Sequence, residues 1–276
     1  MGDAPIHTRW LKIVDKTLVS VDGKSISVYE LVPDFEDATA FSTWARHFRR
    51  HYCLDENIDK FRSGTGKSRT QYLIDYVFPT KTSDFGPATR SGDFAEILLA
   101  DLLEYQFGYW VPRTRYSRKD IRNESTKGSD VVGFLFENTK TLVASTKDIL
   151  TTIEAKAQMS GTSPRSRLQD AVLDSVKDKM RLGESLNAMK QRLYDDKLDT
   201  EAKKIERFQE GINIPYIRQS GAAAVFCSNV YSKEHVCGTT DCTDHENLEN
   251  LILIVIHAKE LMTIVHNLYE RAALEA

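Results

Sequence analysis

Apolar positions along the chain fall into short alternating runs and longer helical stripes. Residues 8–32 alternate loosely and break at Val21-Asp22-Gly23, which predicts one or two strands about a turn. Residues 38–54 carry a helical pattern, with Asp37 or Thr39 as the cap. Another apolar cluster covers residues 70–78, and residues 80–87 then punctuate the chain with Gly86 and Pro87. From Thr89 to Phe107, the side chains Phe94, Leu98, Leu102 and Tyr105 form one stripe and predict a helix. Residues 109–116 read as extended. Residues 130–136 read as a strand after a turn at Lys127-Gly128, and residues 149–158 as a β-branched strand. Residues 164–209 read as charged helix, 221–227 and 250–257 as buried strands, and 258–275 as a final helix. The fold class expected is α/β: a mixed central sheet flanked by helices, with an N-terminal α/β region over residues 1–85 and a second domain over 86–276.

Composition narrows the function classes. The 276 residues are 41% hydrophobic and 28% charged, which suits a folded core and argues against disorder. With 37 basic and 40 acidic residues the net charge is -3, so a histone-like basic protein is excluded, while a local basic patch or a metal ion could still handle phosphate. The longest apolar run, Leu251 to Ile256, is far short of the roughly 20 residues of a membrane span. The first ten residues lack the apolar stretch of a secretory leader, and Ile6 stands where Gly2 myristoylation favours Ser or Thr. The four cysteines (Cys53, Cys227, Cys237, Cys242) are too few for a disulfide scaffold. A cytoplasmic protein with no membrane association is expected.

One pattern carries chemistry. The chain has four acid-x-Lys triplets: Asp22-Gly23-Lys24, Glu154-Ala155-Lys156, Asp195-Asp196-Lys197 and Glu201-Ala202-Lys203. The first lies in a turn and the last two in a charged helical stretch. Only Glu154 and Lys156 sit in an apolar strand, where alternation turns both to one face. A carboxylate there can hold Mg²⁺, a hard cation that prefers oxygen, and a neighbouring lysine can orient or activate water for attack on a phosphodiester. Asp130 opens the strand at 130–136, and Glu96 lies just off the apolar stripe of the 89–107 helix. Gln158 follows on the same strand face as Glu154.

The segments GDFAE (92–96), KGSDVVGF (127–134) and IEAKAQ (153–158) resemble, in order and context, the PD-(D/E)xK nuclease superfamily, although Ser129 stands where that motif has proline. From about residue 85 onward the chain is also similar to the HamA component of the Hachiman antiphage defence system. The resemblance implies a restriction-endonuclease-like core. It implies a metal-dependent DNA endonuclease, with Asp130, Glu154 and Glu96 on Mg²⁺ (Mn²⁺ as a substitute) and Lys156 positioning water. It also implies a prokaryotic setting and a HamB-like superfamily 2 helicase as partner. DNA, not a small molecule, would be the substrate. The alternative is a catalytically silent adaptor that uses a nuclease fold to bind DNA or the helicase.

Basic residues flank these motifs. Arg113, Arg115, Arg118, Lys119, Arg122 and Lys127, interleaved with Tyr109, Trp110 and Tyr116, could track a phosphate backbone, joined by Arg165, Arg167 and Gln158. Two other motifs are weaker. Ser63–Ser68 lacks the first glycine of a Walker loop, that position being Phe61, and follows a helical stretch. His235, Cys237, Cys242 and His245 offer four possible zinc ligands in a spacing that fits no common finger.

Overall fold

A computed structural model describes residues 4–83, 85–209 and 215–276. The readings that touch Gly2 and the first three residues, and Asp84 within 80–87, lie outside the described residues. The chain builds β1 (Leu11–Val19), β2 (Ser25–Leu31), α1 (Ala38–Tyr52), α2 (Asp55–Arg62), α3 (Arg69–Tyr72) and α4 (Gly86–Asp101). Then follow β3 (Val131–Leu135), β4 (Ile149–Gln158), α5 (Arg167–Ser175), α6 (Asp178–Asp195) and α7 (Asp199–Gln209). The last elements are β5 (Ile217–Cys227), α8 (Lys233–Thr239), β6 (Leu251–Ala258) and α9 (Leu261–Leu274).

The architecture is α/β, with one six-stranded mixed sheet in the order β1-β2-β6-β5-β4-β3. The four inner strands run parallel, and each outer strand closes an antiparallel pair. Covering helices let the inner strands be apolar on both faces, as in the Ala222–Phe226 and Leu253–Ile256 runs. β2 pairs with β6, so strands from both sides of residue 85 share one sheet and one hydrophobic core.

Local signals explain most boundaries. Gly23 takes φ +83 at the β1–β2 turn, and Asp37 caps α1 by accepting the Ala40 N–H at 2.9 Å. The helix read over 89–107 is α4 followed by a wide turn, in which the Phe107 N–H reaches Leu102 O. Residues 109–116 are not a strand: Pro112 lacks a donor, and only Trp110 pairs with the sheet, through Phe134. The 164–209 stretch is three helices, with Lys197 at φ 60 between the last two. The final helix starts at Leu261 because β6 continues through Ala258 and Glu260 takes φ 48.

Two opposed surfaces of β3 place the hairpin. Its even positions, Val132 and Phe134, join Leu150 and the apolar side chains of α6 and α7 in a second core cluster. The odd position Gly133 meets the turn after α4, where an added Cβ would stand 2.5 Å from Leu103 Cδ2 and 3.3 Å from Tyr109 Cβ. Gly133→Ala is therefore expected to lower stability by about 1–3 kcal/mol through overpacking. A denaturation midpoint equal to wild type would contradict that tight approach.

Candidate active site

The β3–β4 register sets the site. Val131 pairs with Ile153, which puts Asp130 opposite Glu154 on the same side of the hairpin. Asp130 Oδ2 accepts the Ala155 N–H at 3.0 Å, tying the acid to the neighbouring strand. On β4, Lys156 Nζ lies 2.8 Å from Glu154 Oε1, as their shared face requires, and 2.7 Å from Asp174 Oδ2 on α5. Glu96 on α4 accepts a hydrogen bond from the Tyr116 hydroxyl.

Arg115 lies between the helix and the hairpin. Its Nε is 2.8 Å from Glu96 and its Nη2 2.9 Å from Asp130, while the guanidinium also donates to the Ser129 and Thr126 carbonyls. The structure thus assembles all four expected residues, Glu96, Asp130, Glu154 and Lys156, but with two basic side chains among them. Glu96, Asp130 and Glu154 do not bring oxygens within 4.8 Å of one another as a set. A cavity of about 70 Å³, lined in part by Glu96, Arg115, Ser129 and Asp130, adjoins them and has room for a few waters.

Burial and crowding shape the charges. Burial, reinforced by Glu96, pushes Asp130 up to about 7. Burial also raises Glu96, and burial with the Asp130 charge raises Glu154. Against the cost of burial, Asp174 and Glu154 hold Lys156 as an ammonium, and Glu96 holds Arg115 charged. Glu154 Oε2 is buried without a hydrogen-bond partner.

Asp178, at the start of α6, is a residue the sequence did not single out. Fully buried, it has no hydrogen-bond partner for either oxygen, and burial with the Glu154 charge pushes it up to about 6. The Ser129 and Thr152 hydroxyls flank it without completing a bond. In the sequence it is one acid among many in a charged helical stretch.

Most of the basic cluster is spent internally. Arg113 pairs with Asp101 and Glu104, Lys119 with buried Asp93, Arg118 with Asp195 and Asp196, and Arg167 with Asp170. Arg122 donates to Ile74 O. Gln158 holds the 159–165 turn, donating to Ser163 O and accepting from the Arg165 N–H. Tyr109 and Tyr116 are buried. Lys127 and Arg165 are exposed and carry no ion pair among the described residues. Lys67 of the Ser63–Ser68 loop pairs with Asp75. His235 turns to Ser166 and His245 to Ser175, and no three of the His235/Cys237/Cys242/His245 set converge within 4.8 Å.

Comparison with known proteins gives one match: the family model HamA covers residues 5–272. No curated protein and no solved structure matches the chain.

Asp178 yields a stability test. Its folded pKa of about 6 exceeds the ordinary 3.8, so the folded state binds the proton more tightly. Stability then falls as pH rises between those values, and the full cost stands above about 6. Asp178→Asn is expected to stabilise the metal-free chain by on the order of 1–3 kcal/mol at pH 8 and hardly at all at pH 3.5. Denaturation with EDTA at both pH values checks this, and an equal effect at both would refute it.

Proposed function

The chain belongs to the HamA family, the HamA component of the Hachiman antiphage defence system, and we propose that it serves there as a metal-dependent DNA endonuclease. The observation that carries this reading is the hairpin itself: Asp130, Glu154 and Lys156 share one face, with Glu154 Oε2 buried and unpartnered. A lone buried carboxylate oxygen beside two more acids fits a hard divalent cation, because every donor is oxygen. Asp130 and Glu154 would hold Mg²⁺, or Mn²⁺ in its place, with Glu96 supporting them from α4. When bound, the ion supplies charge stabilisation at the phosphate and lowers the pKa of water.

The chain's own groups do the rest. Lys156 uses two N–H donors on Glu154 and Asp174, which leaves a third for water or the scissile phosphate. Held as an ammonium, it orients and stabilises and is not the base. Arg115 holds Glu96 Oε2 and Asp130 Oδ1, so those two oxygens would turn to a metal only once it moves. Of the expected basic cluster, Lys127 and Arg165 are exposed without an ion pair among the described residues and would meet DNA phosphates. Control by a HamB-like superfamily 2 helicase and action in a prokaryotic cytoplasm belong to the same proposal. No helix among the described residues is long and apolar enough to cross a membrane.

A second reading has its own observation. Arg115 already spans Glu96 and Asp130, and the three acids lack a common seat. That favours an adaptor that binds DNA or the helicase without cleaving.

Plasmid cleavage separates the two. The purified chain, with and without the helicase, is incubated with Mg²⁺, Mn²⁺ or EDTA. Nicking should require the metal, and Lys156→Ala should reduce it on the order of 10²–10³-fold while folding normally by circular dichroism. Absence of cleavage in every condition, partner included, would contradict the nuclease reading and favour the adaptor.

A further inference from the structure

A second group of acid and imidazole side chains lies away from the hairpin, where the N-terminal segment meets α4. His7 sits in the short turn Ile6–Trp10, His47 and His51 lie four residues apart on α1, and Asp101 ends α4. His7 Nε2 is 2.8 Å from Asp101 Oδ2, and His47 Nε2 is 2.9 Å from Asp101 Oδ1. Atoms of His7, His47 and Asp101 fall within 4.8 Å of one another, and among the described residues no other three His, Cys, Asp or Glu do so. His7 and Asp101 are each only 1% exposed.

Arg113 is shared between Glu104 and Asp101, one guanidinium against two carboxylates.

In the metal-free chain His7 Nε2–H donates to the Asp101 carboxylate, and a cation seated between the two would replace that proton. His51 Nε2 stands 3.4 Å from His47 Nε2 and accepts from Arg113 Nη1 at 3.2 Å, which places it behind His47 as support. Tetrahedral zinc, with bonds near 2.0–2.1 Å, spaces its ligand atoms about 3.3 Å apart. The observed contacts need only open by roughly half an ångström to meet that spacing.

We propose that His7, His47 and Asp101 bind one divalent transition-metal ion of the Zn²⁺ class, with water in the fourth position. Two imidazoles and one carboxylate favour such a metal over Mg²⁺. The ion ties the N-terminal turn and α1 to the end of α4, the helix that also carries Glu96. Through Arg113 it braces the segment that carries Arg115. The proposal is independent of the nuclease reading.

The test uses the full chain, stripped with chelator and titrated with Co²⁺ and then Zn²⁺. One equivalent of Co²⁺ should bind with the visible absorption of nitrogen ligation, and Zn²⁺ should displace it. At a hundredfold excess over Kd, Zn²⁺ should raise the unfolding midpoint by about 5–8 °C. His47, whose side chain is 21% exposed, is the ligand least needed by the core. His47→Gln should weaken binding at least tenfold, since even outer-shell partners are worth about that much. Glu154→Ala should leave the absorption intact. Absence of binding at micromolar metal, or equal affinity in wild type and His47→Gln, overturns the proposal.

Discussion

The hydrogen bond from the Ala155 N–H to Asp130 Oδ2 fixes the register from which the candidate site follows. It locks the start of β3 against β4, so that Asp130 stands opposite Glu154. A slip of β3 by one residue would turn Asp130 away from Glu154, whose own face is held by the β4–β5 ladder, because side chains alternate strictly along a strand. Gly133 lets the other side of the same hairpin approach Leu103, which brings α4 and its Glu96 to the site. The flanking cores thus hold several acids in a small, largely buried volume.

That arrangement is electrostatically costly, and the chain offsets the cost only in part. Arg115 and Lys156 neutralise some of the charge, and both are held firmly protonated by the acids around them. What is left shows in the raised values of Asp130, Glu96, Glu154 and Asp178 and in the unpartnered oxygens of Glu154 and Asp178. Natural proteins break local rules of polar satisfaction mainly where function requires it. Arg115, which spans Glu96 and Asp130, partly fills the place a cation would take among these acids.

The strands of the hairpin were legible because β-branched, apolar runs bounded by turns are a strong local signal. Such a run marked β4 from Ile149 to Gln158 and set Glu154-Ala155-Lys156 apart from three similar triplets. The turn before Asp130 marked the start of β3. The basic cluster was misleading, because composition shows where charge is and not what it pairs with. Arg113, Arg115 and Lys119 read as an outward stripe, yet each faces an acid brought near by tertiary packing. The 109–116 segment misled for a related reason: Tyr109 and Tyr116 pack inward, and only Trp110 forms a bridge to the sheet. Asp178 had no local signal at all. Nor did His7 and Asp101, which lie 94 positions apart in sequence and meet only because β2 joins the N-terminal segment to the common sheet.

The most direct measurement is Mn²⁺ binding followed by electron paramagnetic resonance, on the wild-type chain and on Asp130→Asn and Glu154→Gln. If the hairpin is a hard-cation site, the wild type binds Mn²⁺ at millimolar concentration or below, Mg²⁺ competes for it, and each substitution removes it. Equal binding in all three chains, or none in the wild type, would contradict the account and reduce the four residues to an internal ion-pair network.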